Sequence, residues 1–150
     1  MLLFRKKEFF TDEEKQIIVE AVQKAEQRTS GEIRVFVEHR CRYVNAIDRA
    51  VEIFENLQMH KTKLRNAVIV YVATKDRQLA VYGDEGIHQK VGNEYWANEV
   101  VKMINAFNRD NIAEEIAQCV KNIGEALSTH FPYDRNTDKN ELPDDIVFGR

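Results

Sequence analysis

The chain has 150 residues, of which 43% are hydrophobic and 31% are charged, and its formal net charge is -3. This length suits one domain that buries about 70% of the surface of its unfolded chain. The acidic balance argues against nucleic acid as a partner. Cys41 and Cys119 are the only cysteines. A disulfide framework and a cysteine zinc site are therefore not expected.

The N-terminal segment does not have the pattern of a targeting sequence. Its apolar stretch, residues 1–4, is too short for a signal peptide, and the basic residues follow that stretch instead of preceding it. No window contains the roughly 20 apolar residues that a membrane span requires. The sequence therefore predicts a cytoplasmic protein with no direct membrane insertion.

The first half of the chain alternates between helical and extended patterns. Thr11 with Glu14 matches a capping box, and the apolar residues that follow have the spacing of an amphipathic helix over 11–28. Residues 32–38 alternate between polar and apolar and predict a half-buried strand. A second helical stripe covers residues 45–59.

Two further strands are predicted between residues 66 and 82. The continuous apolar run 66–72 is typical of a strand covered on both faces. The helix that separates it from the first strand predicts a parallel pair. The turn after Ala73 is too short for another crossover, so a third strand over 78–82 must return antiparallel.

The remaining pattern is helical and then polar. Helical spacing is present at 87–91, at 95–107 and from about Asp110 to Leu127, whereas the chain beyond Pro132 is polar. We therefore predict an α/β fold: a three-layer α/β/α sandwich around a small mixed sheet, with additional C-terminal helices and an extended tail. The domain covers residues 1–132, and the polar tail covers 133–150.

The predicted topology gathers polar residues at one end of the sheet. Glu32 and Asn66 begin the parallel strands, and Asp84 and Glu85 follow the antiparallel strand, so all four are expected to converge. Three carboxylates and an amide oxygen suit Ca²⁺ or Mg²⁺. The alternative is that residues 83–86 form a turn whose solvated acids cap the next helix.

Other motifs do not indicate a catalytic centre. The sequence contains no Gly-x-Ser-x-Gly, Walker loop or dinucleotide fingerprint. The four histidines are not at ligand spacing from one another, and the basic run 61–65 is interpreted as a solvated loop. No catalytic residue is predicted.

Several of these segments together resemble the TPM domain family, which is named after a thylakoid lumen protein, a photosystem repair protein and a nematode receptor modulator. The resemblance covers about Phe10 to Pro132, and one segment, Lys90–Trp96, looks like the bacterial branch. The segments that carry it are Thr11–Glu14, Thr29–Ile33, Asn66–Ile69, Lys75–Arg77, Tyr82–Ile87 and Lys90–Trp96.

The resemblance implies an α/β/α sandwich, divalent-cation binding by acidic loop residues and, for some members, acid phosphatase activity. It also implies a partner role at the envelope beside LemA-type membrane proteins. The leading hypothesis is a non-catalytic module that binds a cation and a protein. The competing hypotheses are a metal-dependent phosphatase and a metal-free scaffold whose tail, residues 134–150, docks on a partner or on its own domain.

Overall fold

The computed structural model describes residues 9–107, 111–133 and 147–148. Helices and strands alternate in the first half of the chain, and helices dominate the second. In chain order the elements are α1 (Asp12–Glu26), β1 (Glu32–Glu38), α2 (Ala46–Asn56), β2 (Ala67–Ala73), β3 (Gln78–Gly83), α3 (Glu85–Val91), α4 (Asn93–Phe107), α5 (Ile112–His130) and β4 (Val147–Phe148).

The sheet has the strand order β3-β2-β1-β4. The β1 and β2 strands are parallel, with Glu32 opposite Ala67, and β3 runs antiparallel to β2. These directions confirm the predicted mixed sheet. The short β4 pairs parallel with β1, so two residues of the predicted tail belong to the sheet. The rest of that tail, beyond Tyr133, lies outside the described residues.

The helices cover both faces of the sheet, which confirms the three-layer sandwich. On one face, α1, α4 and α5 enclose a large apolar core that includes Val35 and Val70. On the other face, α2 packs Ile53 and Phe54 against a smaller core that includes Ile69. In the part of the chain that the structure describes, no helix combines the length and apolar character needed to cross a bilayer.

The first helix begins where the capping box predicts. The Thr11 hydroxyl accepts the Glu14 N–H at 3.1 Å, and the Glu14 carboxylate accepts the Thr11 N–H at 2.9 Å. The helix packs closely on α5 because Gly124 has no side chain; a Cβ there would lie 2.6 Å from that of Ala25. The helix ends at Glu26 and is shorter than the predicted 11–28.

The prediction that β1 is half-buried is wrong, because all seven of its residues are buried. Glu32, Arg34 and Glu38 are 3%, 5% and 5% exposed although they are charged. Their side chains alternate with the apolar ones and therefore point to the face that α2 covers. The polar positions of this strand are thus buried on the face that α2 covers instead of facing water.

Candidate functional site

The predicted acids lie at the end of the sheet where β1 and β2 begin and β3 ends. Glu32 lies opposite Ala67 in the parallel pair. On the far side of β2, the Asp84 N–H donates to the carbonyl oxygen of Ala67 at 2.9 Å. Glu32, Ala67 and Asp84 therefore form one row across three strands, and adjacent strands are separated by about 4.8 Å. We call Glu32, Arg65, Asn66, Asp84 and Glu85 the acidic rim.

The strand alternation divides the predicted ligands between the two faces. Glu32 shares its face with Phe36, and Asp84 shares its face with Ala80; both of those apolar residues belong to the core under α2. Asn66 lies on the opposite face, where its amide nitrogen donates to the Ser30 hydroxyl at 3.2 Å. The topology thus brings Glu32 and Asp84 to one face and leaves the Asn66 side chain on the other.

Arg65 is the rim residue that the sequence interpretation missed. Its Nε and Nη2 atoms donate to the two carboxylate oxygens of Asp84 at 2.6 and 2.9 Å, and its Nη1 atom donates to Glu85 at 3.2 Å. Asp84 is buried, at 2% exposed, whereas the side chains of Arg65 and Glu85 are 42% and 62% exposed. Arg65, which belongs to the run 61–65 that was predicted to be a solvated loop, is therefore an ion-pair partner of Asp84 and Glu85.

A tight backbone contact holds Arg65 in this position. Arg65 has a φ of 51°, in the left-handed region that non-glycine residues seldom adopt. Its carbonyl oxygen accepts the Gly86 N–H at 2.8 Å. A Cβ on Gly86 would lie 2.1 Å from the carbonyl oxygen of Leu64, so only glycine permits this approach. The one sequence signal for Arg65 was its position directly before Asn66.

The Arg65–Asp84 ion pair dominates the electrostatics of the rim. The hydrogen bonds that Arg65 donates to Asp84 raise the pKa of Arg65 above its ordinary value. Burial, followed by the charge of Asp84, raises the pKa of Tyr82. Asp84 also accepts the Glu85 N–H at 2.8 Å and so caps α3. In the described residues, no group of three or more His, Cys, Asp or Glu is arranged to hold a metal ion.

Another buried carboxylate, Glu38, lies at the other end of the sheet, where β1 ends. Glu38 accepts the Nε and Nη2 atoms of Arg49 at 2.9 and 3.0 Å and also accepts the Tyr71 hydroxyl. Arg49 contacts Glu52 as well. Burial, together with the hydrogen bond to Glu38, raises the pKa of Tyr71. We call Glu38, Arg49, Glu52 and Tyr71 the closed cluster; sequence interpretation did not predict it.

An open cleft of about 460 Å³ lies beside the acidic rim, along the outer side of β3. Its lining includes Glu85 of the rim, Val81 and Gly83 of β3, Ile47 of α2 and Trp96 of α4. The indole nitrogen of Trp96 donates to the Nδ1 atom of His88 at 3.0 Å. The rim and the cleft are therefore adjacent.

Comparison with known proteins identifies relatives of both the sequence and the fold. The family model of the TPM domain matches residues 3–126. The BA42 protein of the psychrophilic bacterium Bizionia argentinensis, solved by NMR, is 37% identical, with 97% of this chain and 99% of that chain covered and a TM-score of 0.85. No curated protein matches the chain.

A more distant structure shares the fold alone. The N-terminal domain of the cg2496 protein of Corynebacterium glutamicum, also solved by NMR, is 13% identical. The match covers 85% of this chain and 87% of that chain, with a TM-score of 0.57. The architecture is thus retained where most of the sequence differs.

Proposed function

Because the chain belongs to the TPM domain family, we propose that it is a non-catalytic TPM-domain module that binds a divalent cation and a protein partner. The cation, Ca²⁺ or Mg²⁺, binds at the acidic rim. The observation that carries this proposal is the row formed by Glu32 and Asp84 on one face. Glu85 lies beside that row, and carboxylate oxygens are the ligands that these cations prefer.

The cation binds by replacing the Arg65 guanidinium. The side chain of Arg65 is 42% exposed, so it can turn towards water, whereas Asp84 is 2% exposed and stays in place. A divalent ion brings one more positive charge than the guanidinium and so compensates a second carboxylate. Asn66 supports this arrangement because its backbone carbonyl oxygen accepts the Glu32 backbone N–H at 3.4 Å.

Calorimetric titration with Ca²⁺ and then Mg²⁺ tests the cation site. We expect the wild-type protein to release or absorb binding heat and Asp84→Ala to lose it. Asp12→Ala removes an exposed acid at the start of α1 and serves as the matched control. Arg65→Met removes the competing cation and is expected to tighten binding. Equal heats for the wild type and Asp84→Ala would remove Asp84 from the site.

The proposed partner is a LemA-type membrane protein at the envelope, approached from the cytoplasm. This part of the proposal is supported by the family membership and by the cleft beside the rim. Titration of the protein with a purified soluble portion of such a partner tests it. Saturable binding supports the partner. The absence of binding at partner concentrations up to about 100 μM counts against it, because a dissociation constant above that value corresponds to a binding free energy weaker than about -5.5 kcal/mol.

A metal-dependent acid phosphatase is the alternative, and Arg65 is the observation that favours it. A partly exposed guanidinium beside carboxylates has the planar donor geometry that recognises phosphate. A cation on the same acids would polarise the phosphoryl group. Turnover of p-nitrophenyl phosphate that is lost on chelation and in Asp84→Ala would favour the enzyme. Absence of turnover over a broad panel of phosphate esters supports the non-catalytic module.

A further inference from the structure

The outer side of β3 is a strand edge with unused hydrogen-bonding groups. In the sheet order, β2 is the only neighbour of β3 among the described strands. An edge of this kind is a template on which another extended chain can pair. Native proteins usually cover or blunt such an edge. Here residues of α2 and α4 flank it, and an open cleft runs between them along β3.

The register identifies which residues of β3 point outwards. Asp84 donates its N–H to Ala67, which makes this a hydrogen-bonded pair of the antiparallel ladder. Such pairs alternate along the ladder, so Tyr82 and Ala80 also face β2. Val81 and Gly83 therefore direct their N–H and C=O groups away from the sheet. Within the described residues, no hydrogen bond to these outward backbone groups is found.

The cleft lies where these outward groups point. Val81 and Gly83 are among its lining residues, together with apolar side chains from both helical layers, Ile47 on α2 and Trp96 on α4. Val81 is only 4% exposed. Buried backbone groups without partners are costly, which favours an occupant that supplies hydrogen bonds. An added strand in this cleft would place alternate side chains against Ile47 and against Trp96.

The charges around the cleft select the chemistry of the occupant. Tyr82 experiences the fields of three carboxylates, Glu55, Asp84 and Glu85, and of one guanidinium, Arg65. Arg65 compensates only part of this negative charge, and Glu85 lines the cleft while remaining 62% exposed. A basic segment is therefore favoured over an acidic one, and it reaches the cleft with a higher association rate.

We propose that the free edge of β3 binds an extended segment of a partner protein, in which basic and apolar residues alternate, by strand addition. The hydrogen bonds are made by the backbone groups of Val81 and Gly83. The apolar side chains contact Trp96 on one face, and the basic side chains lie on the other face, beside Ile47 and Tyr82. This inference rests on the partner half of the proposed function and supplies its mode of recognition. It does not require the cation.

The test uses synthetic peptides and the full chain in EDTA, so that cation binding cannot contribute. The probe is acetyl-(Lys-Val)₄-amide, followed by amide NMR titration and hydrogen exchange. We expect the Val81 and Gly83 amides to shift and their exchange to slow on binding. The matched acidic peptide, acetyl-(Glu-Val)₄-amide, is expected to bind at least about tenfold more weakly because of the carboxylates around the cleft.

Backbone methylation of the probe distinguishes strand addition from adhesion of apolar side chains. Two versions carry N-methyl groups either on every lysine or on every valine. Because alternate residues face the edge, one version should lose at least about tenfold in affinity and the other should bind like the parent peptide. Loss with both versions, or with neither, overturns the proposal.

A protein variant gives the complementary measurement. Val81→Pro removes the outward N–H, and proline is tolerated at the edge of a sheet. We expect at least about tenfold weaker peptide binding with an unchanged far-ultraviolet spectrum. If this variant does not fold, the methylated peptides make the same test on the wild-type protein. If peptide binding does not show these differences while the protein still binds Ca²⁺, strand addition is rejected and the cation part of the proposed function is unaffected.

A second copy of this chain is the competing occupant of the β3 edge. Sedimentation of the chain without peptide measures it directly. A monomer over the concentrations used supports a partner polypeptide. A concentration-dependent dimer whose formation slows exchange at Val81 and Gly83 assigns the edge to a second copy and overturns the proposal.

Discussion

The two ends of the sheet share one ion-pair geometry but differ in how far the arginine is exposed. In the acidic rim, the Nε and Nη2 atoms of Arg65 donate to the two carboxylate oxygens of Asp84. In the closed cluster, the same two atoms of Arg49 donate to the two carboxylate oxygens of Glu38. Both carboxylates are buried, but the Arg65 side chain is 42% exposed and the Arg49 side chain 24%. Glu38 also accepts a hydrogen bond from the fully buried Tyr71.

From this difference we expect that the exposure of the arginine, more than the burial of the carboxylate, separates a structural ion pair from an exchangeable one. An exposed guanidinium gains little free energy from its pair and is replaced at little cost. A covered guanidinium cannot leave without exposing its partner's charge to a medium of low dielectric constant. The predictions that follow test this distinction, from the largest expected effect to the smallest.

Removal of the arginine from the closed cluster is expected to have the largest effect. Arg49→Met leaves the Glu38 charge buried without its counter-ion, and we expect the free energy of unfolding to fall by about 3 kcal/mol. Urea denaturation measures it. Arg42→Met, which changes an exposed arginine, is the control and should change stability by less than about 0.5 kcal/mol. Similar losses for the two variants would show that the closed cluster is not structural.

The backbone support of the acidic rim is expected to be almost as sensitive. Gly86→Ala places a Cβ 2.1 Å from the Leu64 carbonyl oxygen, so the loop that carries Arg65 must move. We expect a loss of about 2 kcal/mol. Gly92→Ala is the comparison, because its Cβ meets no atom within 4 Å and only its φ of 81° is unfavourable; about 1 kcal/mol is expected. A smaller loss for Gly86→Ala than for Gly92→Ala would contradict this account.

Removal of the arginine from the acidic rim should cost less than either change. Arg65→Met leaves Asp84 with the Glu85 N–H as a hydrogen-bond donor, and water can reach the site that the side chain vacates. We expect a loss of about 1 kcal/mol in urea denaturation. A loss equal to that of Arg49→Met would mean that both pairs are structural and would weaken the case for cation exchange at the rim.

The topology could be predicted from local patterns, whereas the pairing of charged residues could not. The lengths of the connections around β2 determined which strands are parallel, and the structure confirms them. The alternation in β1 suggested a solvent-exposed face. In the structure Glu38 is buried instead, because Arg49 and Tyr71 on other segments of the chain donate hydrogen bonds to it. A single sequence contains no local signal for such contacts.

In the acidic rim, too, the sequence predicted the position of the strands but not the partner of the charged residue. Strand direction predicted that Glu32 and Asp84 lie at one end of the sheet, and the register places them in one row. The position of Arg65 depends on a left-handed residue and on the contact of its carbonyl oxygen with Gly86. The face of Asn66 depends on where β2 begins, and a shift of one residue would reverse it.

The smallest expected effect concerns alkaline pH and the closed cluster. Burial raises the pKa of Tyr71, whereas a tyrosine in the unfolded chain ionises near pH 10. The folded state therefore keeps a proton that the unfolded state loses. The stability contributed by this proton is complete below about pH 10 and is lost as the pH rises towards the folded pKa. At pH 10.5 the loss from this single group is about 0.8 kcal/mol.

Tyr71→Phe isolates this contribution. The variant lacks the hydrogen bond to Glu38 and should be less stable at pH 7, but its stability should fall less between pH 8 and 10.5 than that of the wild type. Tyr95 and Tyr82 also have raised pKa values, chiefly through burial, so a smaller alkaline slope remains in the variant. Parallel pH profiles for the two proteins would mean that the Tyr71 hydroxyl is open to water, and the closed cluster would then be as accessible as the acidic rim.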